Sequence, residues 1–372
     1  MTKRYVSMGL TAILAVVLIA GFGSAGTVGA QSATAAPTSA VAIKIGLVTD
    51  VGHVDDKGFN QSSWEGVQAV GTALGVPTEY LESNSASDYA TNINALLNKG
   101  DNVIVTVGFN LQQATGDAAK ANPNVLFIGV DQDQGTDPTA ILPNSVGIVF
   151  HEDQSGFLAG VLAARMSKSG KVAGVYGAQV PAVVRFKVGF ENGVAYAAKT
   201  DSVLSTYYPG DISKAFSDPS WGATTAAQAI DQGADVVFAA AGGTGNGALE
   251  ETARHTTKDK PLYCIGVDTD QWGTVPNAHP CLISSAEKLI PPALDKVIRS
   301  AAAGTLKGGN FYGTVALAPF HDFDSTIPQA VKDELTKLAA DLASGALSSG
   351  YSAATPAPTM AAGATMAPTA SS

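Results

Sequence analysis

Between positions 49 and 66 the chain reads TDVGHVDDKGFNQSSWEG, a run crowded with carboxylates, amides and hydroxyls around Phe59. Asp50, His53, Asp55 and Asp56 carry atoms that bind cations, but their spacing fits no calcium loop. The run leads into an amphipathic stretch. Its acids therefore either cap a helix start or join the free backbone N–H donors there in a binding surface. Two further acids, Asp131 and Asp268, each directly follow a Gly-Val pair at the end of an apolar run. That position suits a helix cap, or a cleft residue beyond the carboxyl end of a strand. The loop 242–247, GGTGNG, lacks the G-x-G-x-x-G spacing of dinucleotide sites and the Lys-Ser/Thr of a Walker A loop. Close approach of backbone to a ligand accounts better for its glycines, and no cofactor is expected. No G-x-S-x-G elbow and no Cys/His cluster is found, so neither a serine nucleophile nor a metal centre is expected.

The elements that must hold these residues alternate. Apolar runs at 43–49, 103–107, 125–130, 146–150, 172–176, 203–207, 236–240 and 262–267 read as strands. Between them lie stretches of helical periodicity such as 60–74, with Trp64, Val67, Val70 and Leu74, and 88–98, with Tyr89, Ile93, Leu96 and Leu97. A β-then-α order predicts parallel sheets covered by helices and joined by right-handed crossovers. So many units exceed one sheet, which gives two doubly wound lobes. Ligands of such sheets sit where the loops after the strands converge.

The 372 residues allow about two domains, counting ~150 residues each. A net charge of -10 with 15% charged residues lacks the clustered Lys and Arg that phosphate backbones require, which excludes a nucleic-acid partner. Lys3 and Arg4 precede an apolar stretch from Met8 to Phe22 and small residues ending at Ala30, the pattern of a cleaved export signal over 1–30. Residues 31–41 read as a linker, and 346–372, rich in Ala, Pro, Thr and Ser, as a disordered tail. Cys264 and Cys281 make an even count in an exported chain, which permits one disulfide.

The run at 49–66 resembles the opening signature of the basic membrane protein family, the substrate-binding proteins of ABC importers that include purine nucleoside receptors. Further blocks agree in order: FIGVD at 127–131, FLAGVLAA at 157–164, RFKVGFENGV at 185–194, FSDP at 216–219, QGADVVFAAAGGTGNGALE at 232–250 and IGVDTDQ at 265–271. The resemblance implies a type I periplasmic-binding-protein fold, an α/β fold whose two doubly wound parallel-sheet lobes are joined by a three-crossover hinge. On that basis residues 42–150 and about 276–318 form the N-terminal lobe, and residues 151–275 and about 319–345 the C-terminal lobe.

The resemblance also implies roles. Asp50 and Asn60 would hydrogen-bond the edge of a purine and Phe59 would stack on its face. Asp131, the backbone at Gly243, Asp268 and Lys288 would meet ribose hydroxyls. Phe186 is the expected second ring, on a helix after Pro181, with Phe238 as its rival. The function so implied is capture of guanosine, adenosine or inosine by a monomeric receptor outside the cytoplasmic membrane, with an ABC permease and ATPase as partners. The alternatives are a sensor of the same fold for another small molecule such as a sugar, or a secreted nucleoside hydrolase. Three departures stand out. No lipobox Cys is available for lipid attachment, Gly58 takes the place of the usual Ser before Phe-Asn, and Asp133 adds a charge two residues after Asp131.

Overall fold

Apolar runs rich in Val and Ile become strands buried on both faces, and the periodic stretches between them become the helices that cover those faces. In this computed structural model residues 43–352 are described; the expected leader, the linker and residues 353–372 of the tail lie outside the described residues. The first elements are β1 (Ile45–Val51), α1 (Phe59–Leu74), β2 (Thr78–Ser83), α2 (Asp88–Asn98), β3 (Val103–Val107), α3 (Gln112–Ala121), β4 (Leu126–Val130) and β5 (Ser145–Phe150). Then follow α4 (Glu152–Met166), β6 (Lys171–Tyr176), α5 (Pro181–Ala197), β7 (Ser202–Tyr207), α6 (Pro219–Asp231), β8 (Val236–Ala240), α7 (Gly242–His255) and β9 (Tyr263–Asp268). The chain continues through α8 (Gln271–Thr274), β10 (Leu282–Lys288), α9 (Ile290–Ala302), β11 (Gly309–Gly313), β12 (Val315–Leu317) and α10 (Gln329–Ser344).

The strands form two six-stranded sheets, ordered β11-β5-β4-β3-β1-β2 and β12-β10-β9-β8-β6-β7. All pairs are parallel except β10 with β12. Both sheets thus use one doubly wound order, whose reversal point lies beside the first strand of each. Each sheet is packed on two faces. Ile45, Val105 and Ile128 lie on one side of the first and Val48, Ile104 and Phe127 on the other. In the second sheet Tyr176, Phe238 and Ile265 face one core and Val175, Val237 and Cys264 the other.

The chain passes between the sheets three times, after β5, after β10, and between β11 and β12. The second passage falls later than the expected boundary at 276. β10 belongs to the C-terminal sheet because Leu282–Glu287 pairs in parallel with Cys264–Asp268 of β9. The Cys264–Cys281 disulfide ties the starts of those two strands together. The third passage comes slightly before the expected 318. Nor is 346–352 a loose tail: Leu347 packs on the C-terminal core, and buried Ser349 hydrogen-bonds Asp153 and accepts at its carbonyl from Asn192 Nδ2 at 2.8 Å.

Helices α4 and α5 meet backbone to backbone. A Cβ added at Gly160 would lie 2.1 Å from Phe190 O, and one at Gly193 would lie 2.0 Å from Phe157 O. Glycine on both helices lets them approach this closely, and this contact sets where Phe186 stands on α5.

Candidate binding site

The loops at the carboxyl ends of both sheets converge on one cavity between the lobes, with about 710 Å³ of empty space counting its open mouth. Asp50, Phe59, Asn60 and Asp131 line it from the N-terminal lobe, and Phe186, Asp268 and Lys288 from the C-terminal lobe. Of the residues expected at a site, Gly243 is not brought there. Its neighbours Ala241 and Gly242 line the wall instead, because Gly242, with φ 54, makes the left-handed turn that starts α7. Phe238 is fully buried against Phe186 and Phe190 in the core and is not part of the lining. Asp133 faces away, accepting from Asn310 Nδ2 at 2.6 Å beside a separate outer groove.

Lys288 is the electrostatic centre. Its ammonium lies 2.8 Å from Asp131 Oδ2 and 3.1 Å from Asp268 Oδ1, so it links an acid of each lobe. It also stands 4.2 Å from the centroid of the Phe59 ring, within cation–π range. Only 4% of Lys288 is exposed, so it is no surface lysine. Burial works against its charge, yet Asp131, Asp268 and Glu152 hold its pKa above the ordinary lysine value. Burial likewise raises both partner acids, with Lys288 pulling them back down. Buried Glu152, at the first crossing, is paired with Arg185 of α5 and extends the charge network to that crossing.

Asp131 and Asp268 end their strands with φ 60 and 68, a left-handed conformation that Asp tolerates better than most residues. Neither is the helix cap considered above; the cap of α8 is Asp270, which accepts from Trp272 N. Behind each acid the same device recurs. An added Cβ at Gly129 would lie 2.2 Å from Gln132 Oε1, and one at Gly266 would lie 2.5 Å from Gln271 Oε1. Each glycine therefore leaves room for a glutamine folded beneath its Gly-Val-Asp turn.

Asp50 is fixed from three sides, by the Tyr89 hydroxyl, by Asn110 Nδ2 at 2.9 Å and by Val51 N at 2.6 Å. Burial raises its pKa, an effect those donors only partly reverse. Gly108, with φ 113, makes space for it, since a Cβ there would lie 2.7 Å from Asp50 Oδ2. Asp56 serves in both senses left open for the 49–66 run. It caps α1, accepting from the N–H groups of Gly58, Asn60 and Gln61 at 2.9, 2.9 and 3.1 Å, and it lines the cavity. Burial lifts its pKa to about 6. Asn60 Oδ1 and Asp131 Oδ1 are buried acceptors with no hydrogen-bond partner within the protein. Apolar walls come from Val183, Phe216, Ala240 and Val267. Asn110 and Phe216 are functional candidates that motif reading missed. Asn110 carries the strand-end signal, three residues after β3; Phe216 opens the FSDP block but lies in a loop, where neither spacing nor strand-end position marks it for the cleft.

The family model described as ABC transporter substrate-binding protein, PnrA-like, matches residues 43–313, which span β1 to β11. The chain belongs to the Bmp family. It is an ABC-transporter substrate-binding protein of that family, a class that works outside the cytoplasm with a membrane permease and an ATPase. Among its relatives, the ABC transporter nucleoside-binding protein BmpA of Lactococcus lactis is 36% identical over 73% of this chain and 75% of the relative. The CD4+ T-cell-stimulating antigen of Listeria innocua is 32% identical over 83% and 87% of the two chains. Basic membrane protein A of Borreliella burgdorferi is 33% identical over 68% and 70%. Among solved structures, an ABC transporter solute-binding protein of Aeropyrum pernix superposes with a TM-score of 0.70 at 23% identity, covering 82% of this Bmp chain and 92% of the other, a likeness of fold. No helix among the described residues of the Bmp chain is long and apolar enough to cross a membrane.

Proposed function

We propose that this chain is exported by its N-terminal signal and captures a purine nucleoside between its lobes, which swing shut about the three crossings and present the closed form to an ABC permease. The observation that carries the reading is Lys288 held between Asp131 and Asp268 beside the Phe59 ring. Ribose is a ring of hydroxyls, and each can donate to a carboxylate while accepting from the ammonium. Phe59 and Phe186 supply the faces between which a base stacks, worth about 1–3 kcal/mol per base. Asp50, immobilised by Tyr89 and Asn110, offers an acceptor to the N–H edge of a purine. Four acids against one lysine line the cavity, which disfavours phosphorylated ligands. The name of the Lactococcus relative, a nucleoside-binding protein, supports the same class.

The test uses residues 31–372, with melting and calorimetry against guanosine, adenosine, inosine, cytidine and ribose. Purine nucleosides are expected to raise the melting temperature, ribose alone to leave it unchanged, and Phe59→Ala to abolish the effect. Equal stabilisation by cytidine would overturn the purine assignment, and release of free base on incubation would make the protein a hydrolase. Sequencing the N-terminus of the exported product tests the signal, which is expected to end at Ala30.

A further inference from the structure

Three side-chain donors of the C-terminal lobe converge on two consecutive carbonyls of the N-terminal lobe. Asn246 Nδ2 donates to Asp56 O at 2.9 Å. Gln271 Nε2 and Thr274 Oγ1 both donate to Lys57 O, at 3.3 and 2.8 Å. None of the three donors lines the cavity. Gln271 and Asn246 are buried, and each is fixed within its own lobe before it reaches across. Gln271 Nε2 bonds Asn246 Oδ1 at 2.8 Å, and Gln271 Oε1 accepts from Val267 N at 2.9 Å.

The backbone they grip is held in its own lobe as well, through Val54 N donating to Glu82 Oε1 at 2.8 Å and through the Asp56 cap of α1. Lys57 adopts φ 62, a conformation that a residue bearing a side chain seldom keeps without external support. The next residues are Gly58, Phe59 and Asn60. The contact therefore exists only when the lobes are together, and it bears on the segment that delivers a ring and an amide to the cavity.

We infer that Asn246, Gln271 and Thr274 form a latch that holds the lobes shut by gripping the carbonyls of Asp56 and Lys57. They are positioning residues, which set how long a ligand stays rather than which ligand enters. The inference rests on the hinged-capture reading above. It also gives a use to Asn246 of the GGTGNG loop and to the Gln of IGVDTDQ, neither of which lines the cavity. Since the latch contains no ligand atom, it favours closure of the empty protein as well.

Asn124→Cys and Lys258→Cys, at exposed positions on the two lobes, provide attachment points for spin labels, the two native cysteines being bonded to each other. Pulsed electron resonance then gives the interlobe distance distribution of the intact chain, empty and with guanosine. Asn246→Asp with Thr274→Val removes two donors with little change of shape. The double variant is expected to shift the empty protein away from the closed distance and to speed guanosine release by about tenfold or more, with entry little changed. A distribution that superposes on that of the parent, or release at the parental rate, overturns the latch. Thr274→Val alone, which trades a hydroxyl for a methyl, must move both readouts in the same direction should the double variant fail to fold. If guanosine, adenosine and inosine all fail to bind the parent, the nucleoside reading falls, while the empty-protein distances still decide the latch.

Discussion

Asp56 combines two duties that pull its ionisation in opposite directions. As the cap of α1 it accepts three backbone N–H bonds, which favour the carboxylate; as part of the cavity wall it is half-buried near Asp268, which favours the acid. Burial is the larger effect, and the pKa rises from 3.8 to about 6. A raised folded-state pKa means that the native protein holds this proton more tightly than the unfolded chain does. Its stabilising contribution is therefore complete below pH 3.8, is lost as pH rises to about 6, and changes no further above that. Asp56→Asn, whose amide oxygen can still accept from Gly58 N and Gln61 N though no longer from Asn60 N, is expected to remove this slope. The gap between urea unfolding free energies at pH 4 and pH 7 should then differ from that of the parent by at most about 3 kcal/mol. Identical slopes in parent and variant would refute the assignment. Residue types at strand ends were legible: Gly-Val-Asp occurs twice, and both copies reach the cleft. The shift from Gly243 to Gly242 was not legible, because a left-handed turn at the start of α7 leaves no trace in residue spacing.

Elements show the same division. Helices and strands with a clear period, such as α1, α2 and β3, lie within a residue or two of where the sequence puts them. α10 could also have been found, since Val331, Leu335, Leu338 and Leu342 recur at helical spacing and are all buried. β11 and β12 were not readable. Gly309–Gly313 contains Asn310 and two glycines, and it is a strand only because β5 offers a parallel edge. The contact between α4 and α5 is likewise a property of two elements together. Its glycines are visible at 156, 160, 189 and 193, but their mutual fit is not. Gly160→Val places atoms where Phe190 O already lies, and backbone rather than a flexible side chain must give way. We expect it to destabilise the fold by at least about 2 kcal/mol in urea titration. An unchanged midpoint would mean that the helices separate easily, and that this crossing does not position Phe186.

For the whole molecule, sheet membership was the hardest matter to read. β10 looks like any strand in sequence, and only its pairing with β9 assigns it to the C-terminal lobe. The disulfide joins these two strands at the ends remote from Asp268 and Lys288, closing a loop of 17 residues. A loop of that length contributes about 3 kcal/mol. Reduction, or Cys264→Ser with Cys281→Ser, should lower unfolding free energy by about that amount while affinity for the proposed nucleoside is largely kept, because strand pairing still sets the site. Loss of affinity without loss of stability would contradict this account. Lys288 is the last residue of β10, directly before the chain crosses to the other lobe. Its ammonium therefore stands beside a crossing rather than at the rim of either lobe. In the hinged capture proposed above, the counter-charge of Asp131 is thus carried at a crossing, where parting of the lobes moves it little. On that proposal the empty cleft parts without leaving two bare negative charges face to face.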